Sequence, residues 1–229
     1  MSSLEPGKLI HTRTYDIEAS VVDDLHFQMR GRLHDVKPDG LWGIVDTEPM
    51  SLHDMHLLVT VRVTDLVITE VSTTMSEHPQ RECPLILPAY QQLVGLSIAR
   101  GFSQKVKELF GGPRACTHIG ALINAMAPVA VQSIWAYSHL VSGAEQDSST
   151  EPLGELSAEE RAAALDVRRR KRMEMSALRN RNTCHVWADD GPMPTKIRSG
   201  EPFTLPLWAE KRLAKRGLSL EEWVRTAQM

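Results

Sequence analysis

The densest run of chemically capable residues in the chain is Gly111-Gly112-Pro113-Arg114-Ala115-Cys116-Thr117-His118. A glycine turn entering a helix leaves backbone N–H groups unpaired at the positive end of the helix dipole, which favours an anion there. The same field lowers the pKa of a thiol, so Cys116 gains reactivity. It also disfavours a charged imidazole, which keeps His118 neutral and fit to take a proton or bind a metal. The alternative is structural: Cys116 packs as a small core residue and His118 bonds a carbonyl.

A second group is Ser51-Leu52-His53-Asp54-Met55-His56. Projecting the strand that follows backwards puts His53 on the same face as Met55, Leu57 and Val59, the apolar one. An imidazole there must be hydrogen-bonded or form part of a site. Asp35 in the same way continues the apolar face of Leu25 to Leu33. A carboxylate turned inward at a strand end costs several kcal/mol unless paired, so it needs a partner or a task. The alternative is that the strands have ended and both residues stand in wet loops. A third group, Thr183-Cys184-His185-Val186-Trp187, offers a Cys and a His. No second Cys stands two residues away, as a zinc finger or ribbon would require. The run Arg168-Arg169-Arg170-Lys171-Arg172 is accompanied by Glu155, Glu159, Glu160, Asp166 and Glu174, which reads as a solvated helix face. No phosphate loop, dinucleotide fingerprint, nucleophile elbow or His-Glu-x-x-His occurs.

The elements that must position these groups fall into two halves. Leu25, Phe27, Met29, Gly31 and Leu33 alternate with His26, Gln28, Arg30, Arg32 and His34, the period of a half-buried strand. Residues 55–64 repeat the alternation, a turn follows at Thr64-Asp65, and a third strand runs through Val67, Ile68 and Val71. Residues 8–18 form a weaker strand. Consecutive strands with no helix between them predict an antiparallel meander. After them, Pro88 opens an amphipathic helix with Leu93, Val94, Ser97 and Ile98, closed by Gly101. Gln104 to Phe110 is a short helix. Thr117 caps a long apolar helix to about Leu140, kinked at Pro128. A polar stretch over 142–155 is the linker. Ser157 and Glu160 form a capping box for a helix to about Arg181. A basic helix runs from Pro206 to Gly217, and Ser219 with Glu222 caps a last one. The fold class is α+β: an N-terminal antiparallel β-meander packed against C-terminal helices.

With 229 residues, 42% hydrophobic and 24% charged, the chain is neither disordered nor low-complexity. Its size supports one good core with an appendage. A net charge of -3 argues against a nucleic-acid binder. Three irregularly spaced Cys make no disulfide framework, and the first residues lack a signal-peptide pattern. The apolar stretch from Ile119 to Val141 is interrupted by Asn124, Pro128, Gln132 and His139, so it predicts a buried helix and no membrane span. A cytoplasmic protein is expected.

In their order, these groups resemble a bacterial family known as domain of unknown function 2889. The residues that carry the resemblance are Asp23-Asp24, Gly31-Arg32-Leu33-His34-Asp35-Val36-Lys37-Pro38, Leu52-His53-Asp54-Met55, Pro79 to Cys83-Pro84, Leu93-Val94-Gly95, Phe110-Gly111-Gly112, Cys116-Thr117-His118 and Gln132, with Cys184-His185 closing. The likeness covers about residues 10–190. That gives a family-like core over 1–190 and a C-terminal helical extension over 191–229. The chain departs from the pattern at Arg32 (His is common there), at His56 (Trp) and at Ala115 (Gly). A cation at position 32 suits an anionic substrate better than a metal.

The resemblance implies a place in the catabolism of aromatic compounds, including lignin-derived dimers. The first expectation is therefore a cofactor-independent lyase that removes carbon dioxide or formaldehyde from a phenolic aromatic, chemistry that needs only proton traffic. His118 and His53 are the acid/base candidates, and Asp35 and Asp54 would orient an imidazole. Arg32, Arg114, Cys116 and Tyr90 would bind substrate. The second is a metal-dependent hydrolase with His53, His118 and His185 around zinc or another divalent ion. The third is a non-catalytic binder of small aromatics. The expected partners are a small aromatic molecule and a second copy in a homodimer, with neither nucleic acid nor membrane.

Overall fold

The computed structural model describes residues 7–40, 47–99, 101–141, 157–201 and 207–219. Four strands, β1 (Thr12–Val21), β2 (His26–Lys37), β3 (Met50–Arg62) and β4 (Ile68–Glu77), form one antiparallel sheet in the order β1-β2-β3-β4. The meander read from the alternation is present. Helices α1 (Phe102–Phe110) and α2 (Thr117–Val141) follow, then α3 (Ala158–Asn180), α4 (Pro192–Ser199) and α5 (Leu207–Arg216), so the α+β class stands. By contacts the chain divides into two units, Met1–Gln146 and Asp147–Met229. The 142–155 linker lies outside the described residues, as do Pro206 and Glu222.

In the first unit, period two in β2 and β3 puts Phe27, Met29, Leu33, Met55, Leu57, Val59 and Val61 on one face of the sheet. Helix α2 covers that face. Its Ile119, Leu122, Ile123, Met126 and Ala130 recur at helical spacing and are all buried. Pro128 sits within α2 without ending it. At its far end the Tyr137 hydroxyl donates to the Asp23 carbonyl at 2.9 Å, tying α2 to the β1–β2 turn. Among the described residues no helix is long and apolar enough to cross a membrane.

Two expectations are corrected. The helix predicted from Pro88 to Gly101 is a 3-10 helix over Cys83–Leu93 with Pro88 inside it. Its end is followed by Gly95 in a left-handed conformation (φ 88), and Ser97 then bridges to Val67 at the sheet edge. Of the residues that suggest a helical period only Leu93 lies in that helix; Val94, Ser97 and Ile98 follow it, and the Ile98 N–H bonds the Leu66 carbonyl at 2.9 Å. Gly101 is left-handed as expected, but it stands at the N-cap of α1, not at a C-terminus. Helix α4 has no counterpart among the elements read from the sequence.

In the second unit, Ser157 and Glu160 form the reciprocal capping box read from the sequence. Arg170 pairs with Asp166 one turn away at 2.9 Å, both side chains more than half exposed, as a solvated face requires. Helix α5 buries Ala209 and Leu213 and ends at left-handed Gly217.

At Gly31 the sheet and α2 approach closely. A Cβ at this position would press on the Met126 sulfur and crowd Leu122. Gly31→Val is expected to lower stability by about 1–3 kcal/mol through overpacking. Adding Met126→Ala should return part of that loss. Urea unfolding of the two single variants and the double variant checks it; strictly additive losses would contradict the contact.

Candidate functional site

Arg13, Asp35 and His53 stand in one row across three strands. The β1–β2 register pairs Arg13 with Asp35, and the β2–β3 register pairs Asp35 with His53. The three are on the covered face, so their side chains meet. Asp35 is wholly buried and His53 nearly so. The β2–β3 register shifts immediately after Asp35, and the β3–β4 register shifts at Asp54/Met55. Such bulges re-aim side chains and are frequent beside sites.

The Arg13 guanidinium binds Asp35 as a fork, Nε to Oδ1 and Nη2 to Oδ2, each at 2.6 Å. His53 Nδ1 lies 2.9 Å from Oδ2. An ionised carboxylate only accepts, so the proton of that bond belongs to His53 Nδ1, and the neutral ring then keeps an open Nε2. His118, on the first turn of α2, stacks on His53 with ring centroids 3.7 Å apart. Its Nε2 is 3.9 Å from Asp35 Oδ2, beyond hydrogen-bond reach. Its Nδ1 is 3.6 Å from the Cys116 sulfur. From the segment before β1, His11 Nε2 comes to 3.4 Å from Asp35 Oδ1. Asp35 is sealed from water, while the side chains of Arg13, His11 and His118 are each a quarter to a third exposed. The cluster is a buried anion with a solvent-reached rim.

Electrostatics follow from these contacts. Burial by itself pushes Asp35 up. The Arg13 hydrogen bonds and charge, with the His53 bond, outweigh it and hold the carboxyl at about 2. His118 is lowered from the usual histidine value, first by burial and then by the charges of His53 and Arg13, while Asp35 pulls the other way. Burial is the leading cause of that lowering.

The other residues singled out from the sequence fall elsewhere. Asp54 and Arg32 project from the opposite face of the sheet, where Asp54 takes the Arg32 fork at 2.7 and 2.8 Å and lies 3.1 Å from His56 Nε2. Asp54 therefore orients His56, not His53 or His118. Alternation explains the separation: His53 and Asp54 are neighbours in sequence and cannot share a face. Arg114 is exposed and donates to the Lys107 carbonyl at 3.2 Å. Tyr90 is fully buried, and burial pushes its hydroxyl up to about 12. That hydroxyl accepts from the Cys116 N–H at 2.9 Å and reaches the Cys116 carbonyl at 3.3 Å, so it pins the start of α2 and with it His118. His185 belongs to the second unit, in the short 3-10 turn His185–Trp187.

Arg13 and His11 are not legible as site residues from the sequence pattern. The signal was there: a hairpin centred on Asp24 places Arg13 opposite Asp35. It was masked because β1 is exposed along its length except at Ile17, so its apolar alternation is faint.

Among the described residues, Asp35, His53 and His118 are the group able to hold a metal ion, with ligand atoms all within 4.8 Å of one another. The donor types suit a divalent transition metal. Both Asp35 oxygens are already taken by Arg13, and an added cation would face that guanidinium.

Comparison with known proteins gives one family. The model described as Protein of unknown function (DUF2889) matches residues 11–132, more than half of the chain. The matched span begins at His11 and contains Arg13, Asp35, His53 and His118, the whole cluster. No curated protein and no solved structure matches.

Because the folded pKa of Asp35 is depressed from 3.8 to about 2, its stabilising effect is complete above the unfolded value and is lost as pH falls through the folded one. The shift corresponds to roughly 2 kcal/mol. Between about pH 4 and pH 2 the native protein is expected to lose that much more stability than Asp35→Asn, read from urea unfolding at each pH. Equal losses would contradict the pairing.

Proposed function

This chain belongs to the DUF2889 family, and for it we propose a cofactor-independent lyase that works by proton transfer at the His53–His118 pair. One observation carries the reading: two stacked imidazoles, 3.7 Å apart, meet at a buried carboxylate that bonds one of them at Nδ1. A carboxylate–imidazole couple is how a general base is oriented, and a second imidazole beside it, once it has taken up a proton, can return that proton as the complementary acid. The two rings cannot both be charged at that distance without mutual penalty, so one proton is shared between two places.

The substrate class is a phenolic aromatic, a reading that rests on the catabolic setting of the family resemblance. With the phenol deprotonated, a benzylic hydroxyl takes a proton from protonated His118 and leaves as water, which gives a quinone methide. His53 Nε2 then takes the proton of a neighbouring primary alcohol, the carbon–carbon bond breaks, and formaldehyde leaves. The electron pair returns to the ring as phenolate, and a stilbene remains. Loss of carbon dioxide from a carboxylated side chain needs the same traffic, with His118 delivering the proton to carbon. Neither route consumes an oxidant or a reductant.

A second reading, a divalent metal held by Asp35, His53 and His118 in a hydrolase, draws on the same convergence. The Arg13 fork on both Asp35 oxygens favours the first. Protein purified without chelator is expected to carry less than about a tenth of an equivalent of any divalent metal by elemental analysis; a full equivalent, lost on His118→Ala, would favour the hydrolase.

Incubated with chelator and lignin-type phenolic dimers, the protein is expected to yield a stilbene and a one-carbon product, followed by chromatography and a formaldehyde assay. His53→Ala and His118→Ala should each slow this by about 10²-fold or more. Full activity in the double variant would overturn the assignment of roles.

A further inference from the structure

Arg13 sits on an edge strand whose residues are exposed apart from Ile17, so core packing does not explain where its side chain goes. It is aimed at a fully buried carboxylate, and its two hydrogen bonds are the shortest in the cluster. A guanidinium fork is planar and binds both oxygens of a carboxylate at once, which fixes the plane of that carboxylate. A rotating carboxylate would offer its oxygens to each of its neighbours in turn. Those facing it are His53, His118 and His11; Tyr15 acts electrostatically on the guanidinium, and Cys116 faces the far nitrogen of His118.

We propose that Arg13 is a positioning residue of this site. By holding both oxygens of Asp35 it directs Oδ2 at His53 Nδ1, and so keeps His53 in the single tautomer that carries its proton on Nδ1 and leaves Nε2 open. The inference deepens the proton-transfer reading of the same site and rests on it for its kinetic consequence. The tautomer itself is measured without substrate. An imidazole in the wrong tautomer loses orders of magnitude as a base, so a residue that never touches substrate can govern the rate.

The experiment compares native protein, Arg13→Gln and Arg13→Lys by two-bond proton–nitrogen spectra of the imidazole side chains. All are recorded at one alkaline condition, about pH 9, where histidines are neutral. Native His53 is expected to show one protonated nitrogen at Nδ1 and one bare nitrogen at Nε2. In Arg13→Gln the two resonances should move toward each other as tautomers mix, and Arg13→Lys, which keeps the charge but not the fork, should fall between. With a turned-over substrate, Arg13→Gln should lower kcat about tenfold or more and leave KM within about threefold, since it removes orientation and no substrate contact. A folded Arg13→Gln protein whose His53 remains wholly Nδ1-protonated overturns the proposal. If Arg13→Gln does not fold, Arg13→Lys decides by the same criterion, an unmixed Nδ1-protonated ring overturning it. Absence of turnover in native protein would count against the lyase reading alone, because the tautomer spectra stand apart from it.

Discussion

Everything in the first unit is arranged around one buried charge. Asp35 has no exposed surface, and an unpaired carboxylate there would cost several kcal/mol. The cost is offset only because β1 brings Arg13 and β3 brings His53 to the same row. That requirement fixes the sheet register on both sides of β2. A slip of one residue in either pairing would turn the partner to the opposite face and leave the carboxylate alone. The order β1-β2-β3 is therefore an electrostatic condition as well as a hydrophobic one.

Helix α2 completes the arrangement from above the sheet. Its apolar stripe lies on the covered face, Gly31 lets it approach closely, and the Tyr90 hydroxyl holds the Cys116 backbone at its start. His118 is thereby set against His53. The helix that encloses the core is the same one that delivers the second imidazole, so packing and chemistry share one element. On the other face of the sheet Arg32, Asp54 and His56 form an Arg–Asp–His set of their own, with Asp54 partly exposed where Asp35 is sealed. Burial, not residue type, separates the two sets.

The parts of this that the sequence disclosed are those with a strong period. Alternation in β2 and β3 identified Asp35 and His53 as inward polar residues, and a glycine turn before an apolar helix pointed to His118. Arg13 and His11 escaped because an exposed edge strand has almost no apolar period. Asp54 is read with the site through its neighbour His53, which alternation in a strand contradicts, and Arg32 through its departure from the family pattern, which does not say which face it occupies. The segment from Pro88 reads as one helix to Gly101, whereas the 3-10 helix ends at Leu93 and Val94, Ser97 and Ile98 follow outside it. The family resemblance gathered the motifs in order but said nothing about which face each would occupy.

The central claim is that the Asp35–His53–His118 cluster is where substrate meets acid and base. A crystal structure of the protein with a bound phenolic dimer tests it most directly. The account predicts a ligand oxygen within about 3.2 Å of His53 Nε2 or a His118 ring nitrogen, with the Arg13 fork on Asp35 intact. A ligand seated instead beside Arg32 and His56 on the opposite face, or a metal ion bound among Asp35, His53 and His118, would contradict it.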